Sequence, residues 1–165
     1  MISSPLRVRS FAKINLALSV LGRRRDGYHD IETVFQSIDI FDEIELRPSP
    51  QLELESNNLS GVPPEDNLVW KAAKLLAAEC SVKHGASITL SKKIPPGSGL
   101  GGGSSNAAAT LLGLCRLWGI NASDTDLFTV AADLGSDVPF FLHGGTALGT
   151  GRGEKIHPLL MRSKF

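Results

Sequence analysis

The segment Pro95-Pro96-Gly97-Ser98-Gly99-Leu100-Gly101-Gly102-Gly103-Ser104-Ser105-Asn106-Ala107 constrains this chain more than any other. It follows a strand-like run, Ala86 to Ser91, and leads into Ser105 to Trp118, whose small and apolar residues read as a helix with Ala108, Leu111, Leu112 and Cys115 on one stripe. Each glycine adds about 0.5–1 kcal/mol of disorder to be overcome on folding, a cost a mere connecting turn has no reason to carry. Glycines without Cβ let backbone N–H groups point inward around an anion, and a following helix N-terminus adds its dipole and unpaired N–H groups. The segment therefore reads as a phosphate cradle, to which the Ser104 and Ser105 hydroxyls can add donors or one metal ligand.

Two familiar phosphate motifs fit less well. No Lys-Ser or Lys-Thr follows the glycines, which excludes a P-loop. Gly97, Gly99 and Gly102 satisfy GxGxxG, but the acidic residue expected about 20 positions on should end a second strand. Asp124 instead opens a helix-like run, so a dinucleotide site is the weaker alternative, beside a glycine turn that holds nothing.

Before this segment, Ser10 to Leu21 alternates Ile14, Leu16, Leu18 and Val20 with polar or small residues, the pattern of a strand with one face in the core. Asp26-Gly27 is a turn dipeptide, Ile31 to Ile38 the returning strand, and Glu43 to Arg47 and Leu52 to Glu55 shorter strands, together a β-meander. Asp66 or Asn67 can cap a helix carrying Leu68, Ala72, Leu75, Leu76 and Glu79, ending near Cys80. Ser123 with Asp126 resembles a capping box ahead of Leu127, Val130, Ala131 and Leu134, stopped at Gly135. The turn-rich stretch Gly144 to Gly153 joins two short strand-like pieces into a hairpin. These elements predict one α/β (α+β) domain over residues 1–165, a twisted, mostly antiparallel sheet with helices packed on it.

Seventeen Lys and Arg balance seventeen Asp and Glu, which leaves no electrostatic footprint for nucleic acid or an anionic membrane. Residues Met1 to Arg9 lack an apolar signal-peptide core, and no run of roughly 18 apolar residues is free of charge. Cys80 and Cys115 stand in apolar stretches without a CxxC, reading as buried reduced thiols of a cytoplasmic protein.

The glycine segment resembles the second motif of the GHMP kinases. Four further stretches are similar in order and spacing to the branch of that family acting on a cytidine diphosphate conjugate of methylerythritol: Ala12-Lys13-Ile14-Asn15-Leu16, Asp26-Gly27-Tyr28-His29, Glu65-Asp66-Asn67-Leu68, and Gly135-Ser136-Asp137-Val138-Pro139-Phe140-Phe141. The resemblance implies an ATP-dependent kinase for a small-molecule hydroxyl, with Mg²⁺-ATP on the glycine segment from Pro95 to Ser105 and no protein-borne metal site. It implies Asp137 as proton acceptor and Lys13 as its neighbouring cation, with Asn15 on the same strand face contacting the substrate. Tyr28 and His29 would recognise the cytidine end, and Asn67 and Lys92 would lie near the adenine. Another acceptor within the family, such as homoserine or mevalonate, is the first alternative, and a noncatalytic nucleotide-binding module the second.

Members of the family usually continue for more than a hundred residues beyond the Gly144 to Ile156 hairpin, and the tail Leu159 to Phe165 carries no further motif. The expectation is an amino-terminal domain without its second domain, with little or no turnover alone and a tendency to self-associate through uncovered apolar surface.

Overall fold

A computed structural model describes residues 5–57, 63–121 and 124–160. The strands are β1 (Leu6–Arg23), β2 (His29–Ser49), β3 (Glu53–Ser56), β4 (Gly85–Ser91), β5 (Thr146–Gly151) and β6 (Lys155–Pro158). The helices are α1 (Leu68–Glu79), α2 (Gly102–Trp118), α3 (Asp124–Leu134) and α4 (Val138–His143), with a 3-10 turn at Pro64–Asp66. The sheet has six strands in the order β3-β4-β2-β5-β6, with β1 paired to β2 off that path. Among the described residues only the β3–β4 pair is parallel.

The expected α/β domain is present, with three revisions to its first third. Two expected strands, Ile31 to Ile38 and Glu43 to Arg47, are one long β2, because a register shift at Phe11/Ala12 absorbs the extra residues of β2 without ending it. The meander is replaced: β4 inserts between β2 and β3, so β3 runs parallel beside it. The apolar residues of β1 do alternate, yet Ile14, Leu16, Leu18 and Val20 are all exposed. Helix α2 covers only the first half of β1, where Leu6 and Val8 pack on the core and Ala12 is fully buried. Beyond Lys13 the residues of β1 are exposed, while their partners Thr33 and Phe35 on β2 remain buried.

Helices α1 and α2 cover one face of the sheet, and α3 packs on the helices. Ile44, Leu46, Ala86, Ile88 and Leu90 meet Val69, Ala72, Ala73 and Leu76 of α1 and Ala107, Ala108, Leu111 and Leu114 of α2, and Leu127, Val130 and Ala131 of α3 join the same cluster. The α2 stripe is rotated from its expected position: Leu114 is buried, Leu112 is exposed and Cys115 is half-buried. Cys80, at the open end of α1, is exposed rather than buried, while burial pushes the Cys115 thiol up to about 11. Asn67 caps α1, its Oδ1 accepting the Val69 N–H at 2.9 Å. The Ser123–Asp126 capping box lies outside the described side chains. Among the described residues no helix is long and apolar enough to cross a membrane.

A second cluster, Phe35, Phe140 and Ala147, seats α4 against β2 and β5. Sequence periodicity missed α4, because six residues are too few to display a helical repeat.

A carboxylate sits inside this core. Asp42 is in phase with Ile44 and Leu46 on β2 and is fully buried. A buried carboxylate is costly unless every oxygen is paired. Its Oδ2 accepts from Lys92 Nζ at 2.6 Å and Asn106 Nδ2 at 2.8 Å. Its Oδ1 accepts the backbone N–H groups of Lys93 at 2.6 Å and Ile94 at 2.8 Å. Asn106 also donates to Ser10 Oγ at 2.5 Å and accepts from Lys92 Nζ at 3.0 Å. A single carboxylate thus joins β1, β2, the chain entering the glycine segment, and α2.

Burial pushes the Asp42 carboxyl up, but the Lys92 ammonium, the two backbone N–H groups and the Asn106 amide outweigh it and hold it below its ordinary 3.8. The folded state therefore binds fewer protons here than the unfolded one. The resulting stability is present above the unfolded pKa and is lost as pH falls through the depressed folded value. Asp42→Ala, which orphans the ammonium, is expected to cost about 3–5 kcal/mol at neutral pH. In denaturant unfolding, the gap between wild type and Asp42→Asn should narrow as the pH is lowered from about 7 to about 3. A gap of constant size would show that the ionised carboxylate contributes nothing.

Candidate active site

The glycine segment opens onto a cleft of about 580 Å³. Helix α2 begins at Gly102, three residues before the sequence pattern suggested, because Gly102 and Gly103 continue helical backbone without the apolar signal that marks a helix start. Its N-cap is Gly101, which supplies no side-chain cap. The first N–H groups of a helix have no intrahelical partner, and here Gly102, Gly103 and Ser104 carry them along the cleft wall.

Two glycines are required by close approach. At Gly101, φ is +69°, and a Cβ would lie 2.7 Å from Phe141 Cζ and 3.2 Å from Lys13 Cε. At Gly102 a Cβ would lie 2.8 Å from Ile94 Cγ2 and 3.2 Å from Lys92 Nζ. The loop is tied to the sheet by the Lys13 N–H, which donates to the Leu100 carbonyl at 3.0 Å, and to itself by Ser98 Oγ, which donates to the Pro95 carbonyl at 2.7 Å.

Lys13 and Asp137 are 124 positions apart in the chain, yet their charged atoms lie 3.5 Å apart, Nζ to Oδ2. Lys13 is only 6% exposed, although it lies in a strand that alternates. Its ammonium donates to Asn15 Oδ1 at 2.7 Å and sits 5.2 Å from the Phe35 ring centroid, while Asn15 Nδ2 donates to Thr33 Oγ1 at 2.6 Å. Asp137 stands at the N-cap of α4 but makes no cap bond with its side chain. An ordinary capping aspartate would use its carboxylate on the helix N–H groups. This carboxylate instead faces the cleft and Lys13, with about a third of the side chain exposed.

The cleft is lined by Asn67, Lys92, Pro95, Pro96, Gly97, Ser98, Gly99, Gly101, Gly102, Gly103 and Ser104 of the expected nucleotide-binding set, together with Lys13 and Asp137. Two expected members are placed elsewhere. Ser105 is buried and donates its hydroxyl to the Phe11 carbonyl at 2.6 Å, so it holds α2 to β1. Leu100 is outside the lining, and its backbone carbonyl holds β1. Tyr28 and His29 are also outside the lining, both exposed at the turn end of the β1–β2 hairpin.

Sequence reading missed Asp42, Asn106 and Thr33. Asp42 carries a usable signal, a carboxylate in register with the core residues of its own strand. Asn106 and Thr33 carry none, since polar side chains at these positions are ordinary until their partners are known.

Residues 67–145 match the model of the GHMP kinases N terminal domain. The chain is 47% identical over 164 residues to 4-diphosphocytidyl-2-C-methyl-D-erythritol kinase of Rhodococcus jostii (strain RHA1), covering 98% of this chain and 53% of that one. It is 48% identical over 153 residues to the enzyme of the same name from Bacillus cereus (strain B4264), covering 92% and 53%. A crystal structure of 4-(cytidine 5'-diphospho)-2C-methyl-D-erythritol kinase superposes with a TM-score of 0.80 at 40% identity, over 93% of this chain and 55% of that one. Mevalonate kinase of Methanococcus jannaschii, at 17% identity, shares the fold with a TM-score of 0.72, over 98% and 57%. The chain spans about half the length of the curated relatives it matches. With the uncapped helix on the glycine segment and the fold of its structural neighbours, the chain carries a GHMP kinase N-terminal domain.

Proposed function

We propose that this chain serves an ATP-dependent kinase reaction on the 2-hydroxyl of 4-diphosphocytidyl-2-C-methyl-D-erythritol, a cytoplasmic step of isoprenoid precursor synthesis. The observation that carries the reading is a single cleft bearing both an uncapped helix N-terminus and the Lys13–Asp137 pair. A site of this kind can hold a polyphosphate and accept a proton at neighbouring points. The names of the relatives described above supply the acceptor.

The cleft fits a nucleotide triphosphate in chemistry and size, since ligand pockets of about 300–1,000 Å³ are usual. ATP held there supplies the phosphoryl group, with Mg²⁺ neutralising its oxygens. Among the described residues no cluster of three His, Cys, Asp or Glu side chains stands ready to hold a metal. Mg²⁺ typically keeps several waters and rests largely on substrate phosphates, and the Ser104 hydroxyl is a cleft group that would join its shell.

The protein's own part is positioning and charge. The N–H groups of Gly102, Gly103 and Ser104 face phosphate oxygens with the positive end of the α2 dipole behind them. Asp137 takes the acceptor's hydroxyl proton as the oxygen attacks, and the Lys13 ammonium stabilises charge developing on the transferred group. Asn15 fixes the ammonium from one side. Tyr28 and His29 serve the pyrimidine end, by ring packing and by polar contacts to its edge.

Calorimetric titration with Mg²⁺ and a nonhydrolysable ATP analogue is expected to give saturable binding. Gly101→Val or Gly102→Val should abolish it while circular dichroism stays native-like. A folded wild-type chain that binds nothing would overturn the nucleotide site. Asp137→Asn is expected to leave the analogue's affinity in place and, where the second domain is supplied and ADP is released, to lower that acceptor-dependent release by about 10²–10⁴-fold. His29→Ala should impair the cytidylated acceptor selectively, and an equal loss with every acceptor would sink the substrate assignment.

A further inference from the structure

We propose that Arg152, in the turn between β5 and β6, positions the Tyr28 ring for a stacked pyrimidine base, although it belongs to none of the motifs. The inference rests on the reading of Tyr28 as the base-binding residue.

Tyr28 is 56% exposed, at the turn end of the β1–β2 hairpin, where an aromatic ring would ordinarily sample several rotamers. Its backbone is nevertheless fixed. The Tyr28 N–H donates to Asp26 Oδ1 at 3.1 Å, and its carbonyl accepts the Arg24 N–H at 2.8 Å. The Arg24 guanidinium bonds Asp26 Oδ2 at 3.1 Å and Asp30 Oδ1 at 2.7 Å, engaging its charge with two carboxylates.

The ring itself is held from a different hairpin. Arg152 Cζ lies 4.8 Å from the Tyr28 ring centroid, within cation–π range. Pairing of Ile31 with Gly151 brings the β5–β6 turn beside the start of β2. That turn is closed by the Arg152 N–H donating to Glu154 Oε2 at 2.6 Å and the Gly153 N–H donating to the Thr150 carbonyl at 3.1 Å. Both partners of the contact therefore stand on fixed backbone.

An aromatic ring has two faces, and the guanidinium covers one. The other face, on a side chain more than half in solvent, is free to stack on a planar base. Fixing the ring before the base arrives removes part of the ordering cost that binding would otherwise carry. Arg152 acts through Tyr28 and is thus a positioning residue.

Tyr28 is the only tyrosine in the chain, so ring-labelled tyrosine gives one reporter in NMR. In the free chain, Arg152→Ala is expected to increase the ring's motional amplitude, and Arg152→Lys to restore part of the order. In titrations with cytidine and with cytidine 5'-diphosphate, Arg152→Ala should weaken both by a similar factor, about twofold to fivefold, with Lys recovering part of it. Unchanged ring order would overturn the proposal, as would a loss confined to the diphosphate, which would make Arg152 a phosphate contact instead. Tyr28→Ala separates the two levels. If it leaves both titrations unaltered, the base-binding reading fails; if it weakens them while Arg152→Ala does not, only the positioning role falls.

Discussion

Everything around the cleft depends on the buried carboxylate of Asp42. Sheets and helices pack through apolar faces that tolerate small displacements, but a carboxylate with two oxygens and four donors does not. It joins the backbone of Lys93 and Ile94 to the side chains of Lys92 and Asn106, and so sets where the glycine segment leaves the sheet and where α2 starts. The apolar core supplies the free energy; the ion-pair network supplies the register. Removing a partner is costly because the remaining charge stays in the dry interior.

From that registration follows the placement of charge in the cleft. Because α2 is pinned by Ser105 to Phe11 and by Asn106 to Ser10, its uncapped end lies against β1 at the point where Lys13 emerges. Phe141 and Lys13 crowd Gly101 so closely that no side chain fits there, which keeps backbone N–H groups at the surface. The same crowding brings α4 and its Asp137 up to the Lys13 ammonium. Packing and chemistry are thus specified by the same few contacts.

Much of this was legible in the chain itself. The strand, glycine segment and helix order, the Asn67 cap and the closing hairpin all follow from local chemistry that needs no partner to be read. Lys13 and Asp137 were legible only through resemblance, since one looks like a solvated strand residue and the other like a helix cap. What failed was non-local. The alternation of Ile14, Leu16, Leu18 and Val20 gives the period of a strand but says nothing of whether a helix lies over it. The insertion of β4 beside β2 is likewise a pairing between segments some forty positions apart, and no periodicity encodes a choice of neighbour. Ser105 was misassigned because a hydroxyl next to a phosphate cradle and a hydroxyl holding a strand look alike in sequence.

The β1–β2 hairpin runs from one environment to another, and that gradient bears on how recognition and chemistry are divided. Lys13 sits where the ribbon is covered by α2 and the Phe35 cluster; Tyr28 sits where both faces meet solvent. At the covered end, charges are desolvated and their spacing is set by core packing, so a change there propagates into the fold. At the open end, order comes from an aspartate turn, an arginine between two carboxylates and a cation over a ring, each worth little alone and each removable without disturbing the core. Under the proposed function, a domain built this way can alter which acceptor it recognises by substitutions in the ribbon and in the β5–β6 turn, while the Lys13–Asp137 pair and the glycine segment stay fixed by the interior. Loops and hairpin ends commonly carry such variation on a rigid scaffold, and here the strand pairing of β2 with β5 is the scaffold that puts the two turns side by side.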